Sequence, residues 1–311
     1  MKKIVLHVFV VGVFFSCITS RTKKSWVNVM SIEKSMYEFD LQAVVEQQHG
    51  DSITLNSIAQ KINFIHLQSG CSSCLTALNL ILDRVEDKLI VSSLGSPVMQ
   101  FDSAGNYEKK LVDIGRAKNE IQGRLYQWTF QNNQVTLCQG NKMVACNLLT
   151  GKIQGFFSKQ YYYNAILLRD GNYVALPNLG PEMKDDRYLD FLDAGNEIVK
   201  SVSYMSSRNI YYQIPDSYTG RLETYGLYPS YTGDVLFKDL FNDTIYKIKD
   251  MDTIMPYICL KRGDLTPSPR DVTDEPANKG FIFIKNVAES VSYVFVNYSF
   301  QESMFSVVFE K

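Results

Sequence analysis

Asp102-Ser103-Ala104-Gly105-Asn106 is the first of three similar turns, followed by Leu149-Thr150-Gly151-Lys152 and Asp193-Ala194-Gly195-Asn196. Each turn lies between two short apolar runs, as in a β-hairpin, and glycine beside Asp or Asn accepts the positive φ of tight hairpins. The glycines recur about every 45 residues, which is the period of a propeller blade. The repeat therefore predicts an all-β fold of four-stranded antiparallel blades, a β-propeller. A β-sandwich with similar turns is the alternative.

Apolar runs of strand length continue on both sides of these turns. They form four sets of four, at residues 78–114, 125–157, 161–204 and 210–260, and a last set of three at 281–309. This pattern predicts about four and a half blades. Because a propeller closes by pairing strands from its two termini, we expect an open arc unless such a pairing forms. Two earlier runs, Ile53–Leu55 and Ile62–Leu67, are predicted to lead into the first blade.

The N-terminus carries an export signal. Lys2 and Lys3 precede the apolar stretch Ile4–Phe15, which is too short to span a bilayer and suits a signal peptide. Ser16 before Cys17 resembles the bacterial lipobox, in which the cysteine is lipidated. We therefore predict a signal peptide at 1–17, a tether at 18–51 and a propeller domain at 52–311, with Cys17 as the lipid attachment site. An ordinary secretory signal is the alternative.

Sorting signals next to Cys17 concern the final location. Ile18 stands where inner-membrane retention favours Asp, and Arg21, Lys23 and Lys24 follow instead of an acidic surface-export signal. By resemblance to bacterial sorting rules, we predict an outer-membrane lipoprotein on the periplasmic face, with surface display left open.

The composition argues against nucleic-acid binding, a histidine metal site and a catalytic triad. The net charge is −1 with both signs interspersed, so the chain lacks the concentrated basic surface that nucleic acid requires. The three histidines, His7, His49 and His66, supply neither a metal cage nor a catalytic triad within the repeats. We predict no cofactor, no metal and no catalytic residue.

One stretch, Leu240–Ile248, resembles a recurrent phrase of the bacterial envelope family of six-bladed β-propeller lipoproteins. Residues Ile58–Leu67, Val98–Tyr107 and Phe281–Ser299 resemble its lead-in strand, first-blade hairpin and fifth blade, in that order. The resemblance implies the propeller fold and an envelope location but no particular activity. Two departures are that Gly115–Gly123 keeps only the ends of the family's first link, and that the family continues for about one and a half blades past Lys311.

Four cysteines are candidates for disulfides or redox chemistry. Cys71-Ser72-Ser73-Cys74 has the spacing of a thiol–disulfide motif, but no βαβ pattern follows it, so a loop disulfide or two incidental thiols is favoured. Cys138 and Cys146 are equidistant from Lys142, so a hairpin centred there would place them opposite each other. Two buried thiols are the alternative, and Cys259 is predicted to be in the core.

Two groups of polar side chains raise the possibility of glycan chemistry. Asp185, Asp186 and Asp190 lie near Arg187, and paired carboxylates can cleave glycosides, although a solvated loop is the favoured interpretation. A tyrosine series offers stacking surfaces, although packing is favoured; its members are Tyr211, Tyr212, Tyr218, Tyr225, Tyr228 and Tyr231.

These observations predict an exported, lipid-anchored propeller with a non-catalytic binding or scaffolding role in the cell envelope. Its predicted partners are an envelope protein or a glycan, bound by loops at one end of the blades, and the membrane through the lipid. The alternatives are a propeller-type glycan lyase or glycosidase and, less favoured, a thiol–disulfide protein that uses Cys71 and Cys74.

Overall fold

The computed structural model describes residues 36–47, 64–68, 81–85, 87–92, 96–121, 127–158, 160–177, 187–203, 226–239, 242–267, 280–301 and 303–311. In these residues the strands form five small sheets arranged in a ring, which is a β-propeller of five blades that is not closed. The all-β propeller prediction and its open arc are confirmed. No helix in the described part of the chain is long and apolar enough to cross a membrane.

The strands of each blade follow one another in sequence and pair antiparallel. Blade one contains β2 (Ile81–Val85), β3 (Lys88–Ser92), β4 (Val98–Asp102) and β5 (Tyr107–Val112). Blade two contains β6 (Gln127–Gln131), β7 (Gln134–Gln139), β8 (Lys142–Asn147) and β9 (Ile153–Phe157). Blade three contains β10 (Tyr162–Leu167), β11 (Tyr173–Pro177), β12 (Arg187–Leu192) and β13 (Ile198–Ser203).

Blade four contains β14 (Gly226–Pro229), β15 (Val235–Lys238), β16 (Thr244–Ile248) and β17 (Ile254–Lys261), and a short 3-10 helix follows at Gly263–Leu265. The described strands of blade five are β18 (Phe283–Glu289), β19 (Tyr293–Phe300) and β20 (Ser303–Glu310). All five sets of strands that the sequence predicts therefore form blades.

The N-terminal strand corrects the predicted domain boundary. β1 (Tyr37–Asp40) pairs in parallel with β17 as an additional outer strand of blade four, and α1 (Leu41–Glu46) follows it. Leu41 is fully buried, and the Phe39 ring stacks on Phe309 of blade five at 4.6 Å between centroids. The prediction of a tether over 18–51 is therefore wrong at 37–46, because Leu41 is buried and Phe39 half-buried against blades four and five.

The lead-in segment covers the outer face of blade one. Leu67 packs against the apolar cluster of that face, and the Gln68 N–H donates to the Gly105 carbonyl at 2.8 Å. Residues 64–68 contain no strand, so the prediction of a strand over Ile62–Leu67 is wrong there, and the contact is made by irregular backbone and side chains. The other predicted run, Ile53–Leu55, lies outside the described residues.

Apolar seams between neighbouring blades form the core. Each seam is filled by residues that alternate along the strands, because successive side chains of a strand point to opposite faces of its sheet. Between blades three and four, Val174 and Phe191 pack with Phe237. On the other side of the same blade-four strand, Leu236 packs with Val294 of blade five. Each inner blade is therefore stabilised from both sides.

The innermost strands also bond to one another through polar side chains. Thr129 Oγ1 donates to the Ala165 carbonyl at 2.7 Å, and Asn164 Nδ2 donates to the Leu227 carbonyl at 3.0 Å. An innermost strand has a sheet neighbour on one side only, so its other edge would leave buried carbonyls without donors. These side chains supply the donors and connect blade two to blade three and blade three to blade four.

The three turns that predict the fold join the third and fourth strands of blades one to three. Gly105 and Gly151 have the expected positive φ, at 90° and 68°. In the third turn Asn196 takes that conformation, with a φ of 68°, rather than Gly195. Blade four has a corresponding turn without glycine, in which Asp250 Oδ1 accepts from the Asp252 N–H at 2.9 Å. An Asp or Asn that accepts from the turn backbone is therefore common to all four turns, as Asp102, Asn147 and Asp193 show in the others.

Candidate functional site

Turns from four blades converge at one end of the ring. Strands of a blade alternate in direction, so the connection between its first and second strands lies at the same end in every blade; we call this the AB end. These connections are Gln131–Gln134, Leu168–Asn172, Ser230–Asp234 and Ser290–Tyr293 in blades two to five. We call the polar cluster that they surround the AB site; it comprises Asn132, Arg169, Tyr231, Gly233, Asp234, Lys247, Tyr257, Glu289 and Lys311.

The floor of the AB site links blades that are not neighbours. Gln131 Nε2 of blade two donates to the Gly233 carbonyl of blade four at 2.6 Å and lies 3.3 Å from the Leu167 carbonyl of blade three. The side chain of Gln131 therefore occupies the axis of the ring at this end. It joins three blades, so the site has a fixed base.

Gly233 lies where the turns of blades two, three and four approach one another. Its φ is +80°, and a Cβ there would lie 3.3 Å from Arg169 Nε and 3.3 Å from Asn132 Oδ1. The Gly233 N–H donates to the Ser230 carbonyl at 2.9 Å, which closes the turn. Both the backbone conformation and the space favour glycine.

The turn of blade four carries a chain of polar contacts toward blade three. Ser230 Oγ and Thr232 Oγ1 lie 2.8 Å apart, and Thr232 Oγ1 donates to Asp234 Oδ2 at 2.9 Å. Asp234 Oδ1 in turn lies 3.4 Å from Arg169 Nε. The Arg169 side chain remains 56% exposed, so its guanidinium can contact solvent or a ligand while Asp234 orients it.

Glu289 is the acceptor at the centre of the site, and its side chain is completely buried. It receives hydrogen bonds from Ser230 Oγ, from the Tyr257 hydroxyl at 2.9 Å and from Lys311 Nζ at 2.5 Å. Lys311 Nζ also donates to the Ser290 carbonyl at 2.7 Å. With three donors, the carboxylate is satisfied and its charge is paired.

Three tyrosine rings surround two lysine ammonium groups. Lys311 Nζ lies 4.3 Å from the centroid of the Tyr231 ring and 5.8 Å from those of Tyr37 and Tyr257. Lys247 Nζ lies 3.4 Å from the centroid of the Tyr257 ring. Aromatic faces attract cations, and the attraction is stronger where water is excluded. Tyr231 is 47% exposed and forms the open wall of this arrangement.

Burial sets the protonation of the lysine and the tyrosine that contact each other. Burial lowers the pKa of Lys247, and the nearby carboxylates of Glu289 and Asp234 oppose that decrease. Burial raises the pKa of Tyr257, and the charge of Glu289 raises it further. Tyr257 is therefore a neutral hydrogen-bond donor to Glu289. Lysine and arginine outnumber carboxylates in the AB site, with Lys247, Lys311 and Arg169 against Glu289 and Asp234.

The possible disulfide between Cys138 and Cys146 does not form, and the alternative of two buried thiols is confirmed. The register pairs Cys138 with Met143 and Cys146 with Val135, and both cysteines are buried free thiols. The hairpin turns at Gly140, whose φ is +62°, so its centre lies before Lys142 and the cysteines are out of register. Burial raises the pKa of Cys138 to about 12 and also raises that of Cys146. Cys17, Cys71 and Cys74 lie outside the described residues.

The carboxylates considered for glycoside cleavage do not form a described pair. Asp190 lies within β12 and is fully buried, so its interpretation as part of a solvated loop is wrong. It accepts from Ser201 Oγ at 2.6 Å and from the Tyr162 hydroxyl at 3.1 Å. Asp185 and Asp186 lie outside the described residues. Within the part of the chain that the structure describes, no group of three His, Cys, Asp or Glu side chains is placed to hold a metal.

The tyrosine series contributes one member to the AB site, Tyr231. Tyr228 is half-buried and packs on the core between blades four and five, whereas Tyr211, Tyr212, Tyr218 and Tyr225 lie outside the described residues. The sequence does not predict four members of the AB site, namely Lys247, Tyr257, Glu289 and Lys311. The signal for Lys247 is its position inside the strand Thr244–Ile248, at a place in the alternation that faces the next blade.

Comparison with known proteins bears on the family. A family model described as "Domain of unknown function (DUF4934)" matches residues 36–311. This chain belongs to that family. The match begins beside β1, in agreement with β1 as part of the DUF4934 fold. A search of curated proteins finds no match.

One solved structure with a TM-score above 0.5 supports the fold of this DUF4934 protein, and two others are similar with lower scores. A "Putative exported protein" from Bacteroides fragilis is similar with a TM-score of 0.60 and 16% identity, over 81% of this chain and 73% of that one. Virginiamycin B lyase from Staphylococcus aureus is similar with a TM-score of 0.41 and 9% identity, over 73% and 68%. The Cps50 (Swd1) β-propeller domain of Myceliophteria thermophila gives 0.36 and 15%, over 75% and 85%. At these identities the likeness concerns the fold and no activity.

Proposed function

We propose that this protein is an exported, lipid-anchored propeller of the outer membrane that binds an envelope ligand at the AB site without transforming it. The observation that carries the proposal is the convergence of turns from four blades on one cluster of cations and tyrosines, above a base fixed by Gln131. Binding sites combine aromatic walls with a few oriented polar groups, and loops on a rigid scaffold commonly carry them.

The state of the carboxylates supports binding rather than catalysis. A general acid or base must be able to exchange its proton with a substrate. Glu289 is buried beneath three donors, and Asp234 is engaged by Thr232 and Arg169. Neither is arranged to attack or to protonate a substrate, so we expect the ligand to leave unchanged.

The envelope location is supported by the N-terminal sequence and by one structural relative. The basic and apolar segment before Cys17 is typical of an export signal, and the resemblance to six-bladed propeller lipoproteins agrees with it. The similar Bacteroides fragilis protein is described as exported. On this support we place the AB site, as part of the proposal, in the periplasm and facing the envelope polymers.

Anchoring is tested by Cys17→Ala in the full-length protein expressed in its own cell type. If Cys17 carries the lipid, wild type fractionates with outer membranes and the variant is released into the soluble periplasmic fraction. The control is Cys259→Ala, which leaves the N-terminus unchanged. Equal membrane partitioning of Cys17→Ala and wild type would contradict lipid anchoring.

Binding without conversion is tested with purified protein and isolated envelope polysaccharide. We expect wild type to co-sediment with the polymer, and Tyr231→Ala combined with Arg169→Ala to lose most of that retention because it removes the open wall and the exposed cation. Val291→Ala, on the neighbouring turn and 73% exposed, is the matched control. New reducing ends or unsaturated sugar products in the supernatant would instead support a hydrolase or lyase.

A further inference from the structure

Lys247 is a mostly buried cation that forms no ion pair with a described residue, although the carboxylates of Glu289 and Asp234 lie near enough to influence its charge. The residue is 7% exposed, and among the described residues its ammonium group has no hydrogen-bond acceptor, only the face of the Tyr257 ring. The Nζ atom is not fully enclosed, so it keeps some contact with solvent and an acceptor from outside can reach it. The aromatic face offers it only part of the stabilisation that a hydrogen-bonded anion would give. The AB site therefore has a donor that an added acceptor would satisfy.

The contrast with Lys311 shows what is missing at Lys247. Lys311 lies against the same ring of Tyr257, but it bonds to the Glu289 carboxylate and to the Ser290 carbonyl. Glu289 already receives three donors, so it has little capacity left for a second lysine. One further carboxylate would balance the charge of the cluster.

The groups around Lys247 indicate the shape of the molecule that would bring this carboxylate. Tyr231 exposes nearly half of its surface beside Lys311, which gives a flat apolar face next to the cationic centre. Arg169 lies across the same turn with its guanidinium exposed and held through Nε by Asp234. A ring-shaped ligand with hydroxyl groups and one acid group fits such a combination of stacking wall and donors.

We infer that the AB site binds an acidic sugar, a uronic acid residue of a glycan, with its carboxylate at Lys247 and its ring against Tyr231. This inference rests on the proposed binding function and names its ligand class. The exposed guanidinium of Arg169 supplies further donors for hydroxyl groups of the sugar. A neutral sugar would leave Lys247 as it is, so the site discriminates by charge.

The test is titration calorimetry of the folded, full-length mature protein with a galacturonic acid trisaccharide and with the neutral galactose trisaccharide. We expect the acidic trisaccharide to bind at least about tenfold more tightly, since a charge-assisted hydrogen bond contributes that much discrimination. Equal affinities for the two sugars would overturn the inference. An acidic peptide is the third probe, and binding of the peptide alone would also overturn it.

Variants of residues in and near the AB site show which side chain gives the preference for the acidic sugar. Lys247→Met keeps the length of the side chain and removes the charge, so it should abolish the preference for the acidic sugar while leaving weak neutral binding. Lys249→Met, two residues along and exposed, is the matched control and should keep the preference. Tyr231→Ala should weaken both sugars alike. An unchanged preference in Lys247→Met would contradict the assigned position of the carboxylate.

Two further measurements distinguish an unfolded variant, or a failure of the proposed function, from a failure of the uronic acid assignment. Thermal unfolding of each variant shows whether it is folded. If Lys247→Met is not folded, the affinities of wild type and of Lys247→Arg, which keeps the charge, for the acidic and the neutral trisaccharide test the inference instead. Both proteins should then prefer the acidic sugar, and the lack of a preference in both would contradict the inference. If polysaccharide co-sedimentation depends on Tyr231 and Arg169 but neither trisaccharide binds, the binding function stands and the uronic acid assignment falls. If co-sedimentation also fails, both fall.

Discussion

Blade four has two sides with the same topology and different chemistry. On the side of blade three, the seam is filled by aliphatic and aromatic side chains such as Val174, Phe191 and Phe237. On the side of blade five, Leu236 begins a similar apolar seam, but toward the AB end it gives way to lysines, a buried glutamate and tyrosines. Apolar residues therefore fill the middle of the blade-four strands on both sides, whereas the strand ends and turns can carry polar and charged groups.

The largest expected effect is in the apolar seam. Phe191 is fully buried, so Phe191→Ala should lower the free energy of unfolding by about 4 kcal/mol through lost contacts and a cavity. Urea unfolding followed by circular dichroism measures the change. Val199→Ala, on the exposed outer strand of the same blade, should remain within about 0.5 kcal/mol. Similar midpoints for both variants would mean that this seam does not hold blades three and four together.

Where blades four and five meet at the AB end, stability should depend on the Glu289–Lys311 ion pair rather than on side-chain volume. Glu289→Leu leaves the Lys311 ammonium buried without its carboxylate and should cost about 3 kcal/mol. Adding Lys311→Met removes the orphaned charge and should recover most of that loss, as urea midpoints of the two variants will show. If the double variant is as unstable as the single one, the loss comes from packing and not from the ion pair.

A smaller effect separates backbone strain from crowding at the AB site. Gly233→Ala should cost about 2 kcal/mol, because alanine disfavours positive φ and its Cβ meets Arg169 and Asn132. Gly171 also has a positive φ, of +87°, but nothing lies within 4 Å of an added Cβ, so Gly171→Ala should cost about 1 kcal/mol. Equal thermal shifts of the two variants would show that the contacts of Gly233 are not tight.

The smallest expected effect is the contribution of Cys138 ionisation to the pH dependence of stability, which is absent near neutral pH and appears at alkaline pH. Its pKa is raised to about 12 in the fold, against roughly 8.5 in an unfolded chain, so above pH 8.5 the unfolded state loses the proton first. Stability should therefore fall as the pH rises from about 8.5 toward 12, and Cys138→Ala should remove that part of the slope. The pKa of Lys247 is lowered, so Lys247 contributes the opposite slope, which Lys247→Met should remove. Urea midpoints across this pH range measure both; an unchanged slope in Cys138→Ala would contradict its burial.

The sequence predicts much of the fold because turns and strand alternation are local properties. Gly105 and Gly151 mark hairpins wherever the chain is read, and the apolar runs beside them supply the strands. The glycine pattern does not predict the turn at Asp250, because this turn contains no glycine and is closed by the Asp250 side chain, which accepts from the turn backbone. Register was harder: the position of one turn residue, Gly140, decides whether Cys138 meets Cys146 or Met143.

The candidate site was mostly invisible to the sequence because its members come from separate blades. Lys247, Glu289 and Lys311 lie far apart in the chain, and no spacing rule relates them. Tyr231 was noted, but nothing local separates it from the tyrosines around it. The sequence does not predict β1 for a similar reason, since this four-residue strand in a polar stretch is stabilised by its pairing with β17 and by the contact of Phe39 with Phe309.

The parallel pairing of β1 has a consequence for how the chain matures. Tyr37 leaves the ribosome or a secretion channel before any of the blades, yet its partner Ile258 emerges after three complete blades and most of a fourth. Phe39 and Leu41 must therefore wait as unburied apolar groups while the first blades assemble. Pairing across so long a loop is slow, so docking of this strand should be a late step of folding, and one at which a chaperone has time to act.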